Sequence, residues 1–246
     1  GAILEGNLGT AAVNVNLDPV LNFDGSGDKM VVPNTSDLEI VGDVTVSAWI
    51  NPTSWVDNAH ICAMGADGET LATNYLFILT PATDSGNDIM LGHEYGSGTN
   101  QFADIDAGTK IVMGEWCHLA IVRDESAKTW TLYVNGVATG SAYTYSTTAA
   151  GGTTGELHIG YNPSGGGKYF DGKINDVRVY DSALAVADIQ KLASKMNIGV
   201  GAPVGWYKLN DGDATAVDSG SGGNNGAITN ATWTYNDFGV DIQDNT

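Results

Sequence analysis

The sequence predicts an all-β protein, a two-layer antiparallel sandwich carrying one short helix. Three observations lead there. Short segments with apolar residues at every second position recur along the chain, and clusters of Gly, Asn, Asp and Ser separate them. Gly reaches 33 of 246 residues while charged residues are only 16%, a mixture that suits many short strands joined by tight turns. Only one stretch has the 3.6-residue spacing of an amphipathic helix.

Residues 1–19 show no strong period and end at Asp18-Pro19, so they read as an arm leading into the core. Strand patterns then follow at 20–24, 29–32, 43–51, 60–65, 74–80, 88–94, 116–123, 129–135, 156–161 and 172–181. In the third of these, Val44, Val46, Ala48 and Ile50 alternate with Thr45, Ser47 and Trp49, which puts the small aliphatics on one face and Trp49 on the other. Turns are expected at Asp84-Ser85-Gly86-Asn87 and at Asn135-Gly136, the latter a hairpin signal because Asn-Gly readily takes positive φ. Leu184 to Lys195 reads as the helix, with Leu184, Val186, Ile189 and Leu192 on its apolar stripe. Residues 20–198 thus form the main domain. The remainder, 199–246, is too short for a core of its own and is expected to dock on the sandwich or on a neighbouring subunit, with 236–246 lying over a surface.

Ten Lys and Arg against 29 Asp and Glu give 10 − 29 = −19. That charge repels a phosphate backbone and gains nothing at an anionic membrane, so nucleic acid and membrane insertion are not expected. No run approaches the roughly 20 apolar residues of a membrane span, and the first residues lack the basic region of a signal peptide. Cys62 and Cys117 are too few for a disulfide framework; a sandwich could bring them together to pair, while their apolar neighbours suggest two buried thiols.

Four stretches, in order, resemble the laminin G-like modules of the concanavalin A-like superfamily. They are Leu21 to Pro33 (LNFDGSGDKMVVP), Val44 to Pro52 (VTVSAWINP), Glu115 to Ala120 with Leu132 to Gly136 (EWCHLA, LYVNG), and Phe170 to Tyr180 running on to Ile189. The resemblance implies a jelly-roll sandwich over about residues 20–195. Ala185 stands where the family has a Ser before the helix, removing a side-chain cap, and Cys117 stands where the family has a second His. The segment Val204 to Leu209, followed by Ala216 to Ser219, Asn224 to Ala227 and Trp233, resembles the opening strand and loop of the same module type. It would normally precede the Phe-Asp-Gly strand. It is therefore a truncated second module, or it completes the sandwich in permuted order, or it completes a neighbour. A core of this kind with such a segment also resembles virion accessory proteins of marine bacteriophages.

No catalytic set is expected. Glucanases of this superfamily converge carboxylates from one strand, and the nearest stretch here, Asp104 and Asp106, reads as a solvated face beside a turn. His60, His93, His118 and His158 are scattered without metal-pair spacing. A structural calcium ion is the cofactor to consider, because the loop Asp24-Gly25-Ser26-Gly27-Asp28 supplies hard oxygen donors. The resemblance adds Asp171 and Asp176 to that set. The competing reading makes Asp24 and Asp28 turn residues that bond their own backbone. For sugar binding, an aromatic platform with polar neighbours is needed, and Trp55, Asn58, Tyr95, Tyr161 and Tyr169 lie in polar loops. Each could equally be a packing residue.

The sequence thus points to a non-catalytic, lectin-like binding or adhesion module at a virion surface or outside the cell. Its expected partners are a glycan or cell-surface polysaccharide and other virion or surface proteins, with homo-oligomerisation left open. The rival is a capsid decoration or cement protein whose arms tie subunits together. A glycan hydrolase is disfavoured.

Overall fold

The computed structural model describes residues 19–65, 73–80, 88–96, 99–151, 155–163, 167–195 and 199–235. The arm up to residue 18, the turn 84–87 and the last residues, 236–246, lie outside them.

Eighteen strands and one helix are formed among the described residues. They are β1 (Pro19–Asp24), β2 (Lys29–Val32), β3 (Val44–Pro52), β4 (His60–Met64), β5 (Tyr75–Thr80), β6 (Asp88–Gly96), β7 (Thr99–Asp106), β8 (Cys117–Asp124), β9 (Thr129–Val134) and β10 (Val137–Thr144). Then come β11 (Leu157–Ile159), β12 (Tyr161–Asn162), β13 (Lys168–Tyr169), β14 (Asp171–Tyr180), α1 (Val186–Ala193), β15 (Gly205–Tyr207), β16 (Thr215–Ala216), β17 (Gly226–Thr229) and β18 (Thr232–Tyr235). The first sheet has the order β10-β9-β8-β3-β14-β1-β18, with β15 also on β14; the second runs β16-β17-β2-β11-β4-β5-β6-β7; β12 and β13 form a separate ribbon. All strand pairs are antiparallel, and the two layers enclose one main core.

The alternation read in β3 sets its two faces. Val44, Val46, Ala48 and Ile50 are fully buried in that core, while Trp49 lies on the other face with its ring 5.4 Å from His118. Cys62 and Cys117 are buried free thiols, and burial pushes the Cys117 thiol up to about 12. Asn135 and Gly136 have φ of 49° and 78° and join β9 to β10 at Val134↔Val137.

The helix is shorter than its sequence pattern. Leu184 remains outside because its N–H donates to the Thr45 hydroxyl at 3.0 Å, and that hydroxyl in turn donates to the Ser182 carbonyl at 2.7 Å. With Ala185 at the cap no side chain closes the first turn. Ile189 still packs on Ala120, Val122 and Tyr133, covering the outer face of the first sheet.

The C-terminal segment completes this sandwich. β15 pairs with β14 (Val177↔Tyr207), β17 with β2 (Ala227↔Val31) and β18 with β1 (Leu21↔Trp233). Strands from the C-terminal segment thus extend both sheets.

Candidate functional site

Antiparallel pairing gathers one set of loops at a single end of the sandwich. β1 ends there at Asp24, β14 begins there opposite it at Asp171, β3 ends at Pro52 opposite Gly172, and β4 begins at His60. The 24–28 loop and the 53–59 loop cross between the sheets at this end. Seven of the nine residues marked from the sequence are brought to it: Asp24, Asp28, Asp171, Trp55, Asn58, Tyr161 and Tyr169. Asp176 and Tyr95 are not.

Asp24 and Asp28 hold their own loop. The Asp24 N–H donates to Asp28 Oδ2 at 2.7 Å, and the Ser26 N–H donates to Asp24 Oδ1 at 2.8 Å. Burial raises the Asp28 carboxyl above the usual carboxylate range, and the charge of Asp24 beside it adds to that, against the opposing Asp24 N–H bond. Asp171 accepts the Ser54 hydroxyl at 2.5 Å. Gly25 sits at φ 78° with Asp171 so close that a Cβ on it would lie 3.2 Å from that side chain.

Asp176 departs from the set. It lies five residues further along β14, roughly 16 Å away at strand rise, on a bulge with φ 52°. Its carboxylate takes two bonds from Arg178, each 2.9 Å, and a third from Trp206 Nε1 at 2.6 Å. The four carboxylates assigned to calcium therefore do not fit one ion. Among the described residues no group of three or more His, Cys, Asp or Glu side chains is gathered as a metal would require.

Of the aromatic candidates, Trp55 is a strut. It packs against the core and donates through Nε1 to the Thr80 carbonyl at 2.7 Å, fastening the 53–59 loop to β5. Tyr95 is 42% exposed but stands near the far end of β6, away from the others. Tyr161 and Tyr169 are cross-strand partners in the β12–β13 ribbon, with stacked rings 5.1 Å apart. Asn58 adjoins them, since its carbonyl accepts from Asn162 Nδ2 at 3.1 Å. Its φ of 60° turns the chain here.

The surroundings of this pair were not marked in the sequence. His158 meets Tyr161 edge to face at 5.7 Å, and the Lys29 ammonium lies 5.2 Å from the Tyr161 ring centre. Burial, then the charge of Lys29, lowers the His158 imidazole to about 4. Burial, then the neighbouring His158, takes His60 down to about 3. Both rings are thus neutral near pH 7. His158 is the cross-strand neighbour of Val31 on β2, and Val31 helps line a depression of about 290 Å³ on the outer face of the second sheet. Pro33, Gly226 and Ala227 line that depression together with Glu156, Thr215 and Asn225. It exists because β16 and β17 fold back onto β2, a pairing about 200 residues apart in sequence that no local pattern announces.

Comparison with known proteins follows the same architecture. The family model described as the concanavalin A-like lectin/glucanases superfamily matches residues 24–190. No curated protein matches the chain. Among solved structures, a candidate carbohydrate-binding protein from Bacteroides ovatus superposes with a TM-score of 0.64 at 18% identity, over 92% of this chain and 62% of that one. The chain thus spans less than two thirds of that protein. The CBM40 of the Ruminococcus gnavus IT-sialidase, bound to α2,3 sialyllactose, gives 0.55 at 13% identity, over 70% of this chain and 96% of that one. Domain 4 of an extracellular arabinanase from Geobacillus stearothermophilus, in complex with arabinotriose, gives 0.51 at 22% identity, over 71% and 87%. At such identities these likenesses speak for the fold. With two thirds of its length matched in sequence and the two-sheet sandwich in place, the chain belongs to the concanavalin A-like lectin/glucanases superfamily.

Proposed function

We propose that this chain is a non-catalytic, lectin-like carbohydrate-binding module whose site is the Tyr161–Tyr169 pair and the adjoining outer face of the second sheet. The carrying observation is that stacked pair, set beside Asn58, Asn162 and His158. Aromatic rings offer a sugar's C–H face an apolar surface, and neighbouring amide and imidazole groups can read its hydroxyls. The carbohydrate ligands held by two of the similar structures support the reading.

Binding without hydrolysis is favoured by the carboxylates. Cleavage of a glycosidic bond uses two of them flanking one bond, and the depression is lined by a single one, Glu156. Asp104 accepts the Thr80 hydroxyl at 3.0 Å, while Asp106 accepts the N–H of Gly108 in its own turn at 2.5 Å. Both lie on β7, at the far edge of the sheet from the depression. The setting we propose is the surface of a bacteriophage particle or another extracellular surface, on the strength of the resemblance carried by residues 204–233.

A glycan array run with and without calcium tests the module. Binding that disappears in Tyr161→Ala and Tyr169→Ala, with no reducing ends released from any bound polysaccharide, is the expected result. Binding that survives both variants removes the site. The capsid-decoration reading has its own support in β18, an outer strand whose residues Thr232–Tyr235 carry no charge and whose Tyr235 is 67% exposed. Failure on the array together with capsid loading that is lost in Tyr235→Lys would favour it.

A further inference from the structure

The tyrosine pair and the depression between β2 and the C-terminal strands share the outer face of the second sheet, and one residue joins them. The His158 ring meets Tyr161, while its cross-strand partner Val31 lines the depression. The register also gives their spacing. β11 reaches the level of Met30 at Ile159 and Tyr161 follows two residues later, whereas the depression lies at the levels of Val31 and Pro33. At strand rise the two features are therefore on the order of 10 Å apart. One sugar ring does not cover that distance.

The depression has the chemistry of a second sugar seat. Val31, Pro33 and Ala227 contribute apolar side chains, and the polar groups beside them are uncommitted. Glu156 and Thr215 make no side-chain hydrogen bond or ion pair among the described residues. Asn225 accepts the Asp218 N–H through Oδ1 at 2.9 Å, so its amide N–H groups stay available. A carboxylate, a hydroxyl and an amide together can accept from and donate to sugar hydroxyls. The Glu156 carboxylate and the net charge of −19 repel an anionic residue, so the ring seated here is uncharged. Resting on the carbohydrate-binding reading above, we infer that the ligand is a neutral stretch of about three or more linked sugars, with one ring on the tyrosine pair, another in the depression and the chain crossing His158 between them. β16 and β17, which carry Thr215, Gly226 and Ala227, thereby make the site selective for chain length.

Calorimetry on the full chain provides the test, with arabino-, xylo- and galacturonate oligosaccharides from the disaccharide to the pentasaccharide as probes. Affinity in a neutral series should rise about tenfold or more from the disaccharide to the tetrasaccharide and then level off. Ala227→Trp and, as a second variant, Thr215→Trp fill the depression from exposed positions. Each should bring the tetrasaccharide down to the affinity of the disaccharide and leave the disaccharide unchanged, whereas Tyr169→Ala should abolish both. Equal affinity at every length, a gain confined to the galacturonate series, or tetrasaccharide binding that both Trp variants leave intact overturns the inference while the tyrosine site stands. If no probe binds at any length the inference also falls, and the glycan array decides whether the carbohydrate-binding reading falls with it.

Discussion

The two ends of the sandwich use polar residues in opposite ways. At the end where β8 finishes, Arg123 is fully buried and donates to the carbonyls of Ile40, Gly42 and Asn74 at 2.7, 2.6 and 2.9 Å. Beside it, Glu125 binds Lys128, Thr148 and Tyr145. Trp130 Nε1 donates to His93 Nδ1 at 3.0 Å, so His93 is neutral with its proton on Nε2, donated to the Thr147 carbonyl at 2.7 Å. These groups satisfy one another and leave little for a ligand. At the other end the loops are closed by short Asp turns, and the stacked tyrosine pair lies half-buried beside them. A densely bonded end holds the layers together, and the other end carries the proposed glycan site.

The sharpest way to break that contrast is Arg123→Met. Three buried carbonyls would lose their donor, and a loss of about 4 kcal/mol in urea unfolding is expected; a change below about 1 kcal/mol would remove the structural role of this end. Acid comes next. His60 is lowered to about 3 and His93, His118 and His158 to about 4, burial being the main cause in each. Between pH 6.5 and 4 the unfolded chain therefore binds more protons than the native one, and stability falls as pH falls through that window. Glu125, pushed up by burial but brought below the usual range by its bonds from Lys128, Thr148 and Tyr145, continues the decline at lower pH. Urea midpoints that stay flat from pH 6.5 to 4 would contradict neutral burial of the histidines. A smaller effect, about 1–2 kcal/mol, is expected for Asp176→Asn, which keeps the positive φ but weakens the bonds to Arg178 and Trp206. Smallest of all should be Tyr169→Ala, whose stability cost of about 1 kcal/mol or less accompanies complete loss of glycan binding. Comparable losses of stability at both ends would dissolve the distinction.

Much of the architecture was legible because it is written in local periods. The β3 alternation and the Asn135-Gly136 turn each depend on a few adjacent residues, and both are found in the structure. The proposed binding face was only half legible. Tyr161 and Tyr169 stood out as aromatics in polar loops, but their stacking depends on the β12–β13 pairing. Lys29 gave no sign of lying over the Tyr161 ring. Asp176 resembled a family position beside the 24–28 loop, yet the bulge in β14 gives it to Arg178. Docking of 199–246 on the sandwich was among the expectations, but the pairing of residues 226–229 with β2 was not, since a strand's partner is chosen by the whole layer.

The pairing of β18 with β1 has a practical corollary. Pro19 and Tyr235 are cross-strand neighbours, so the two ends of the described sandwich lie one strand width, about 5 Å, apart. A sandwich whose first and last described strands are neighbours can be spliced into a surface loop of a host protein without prising that loop open.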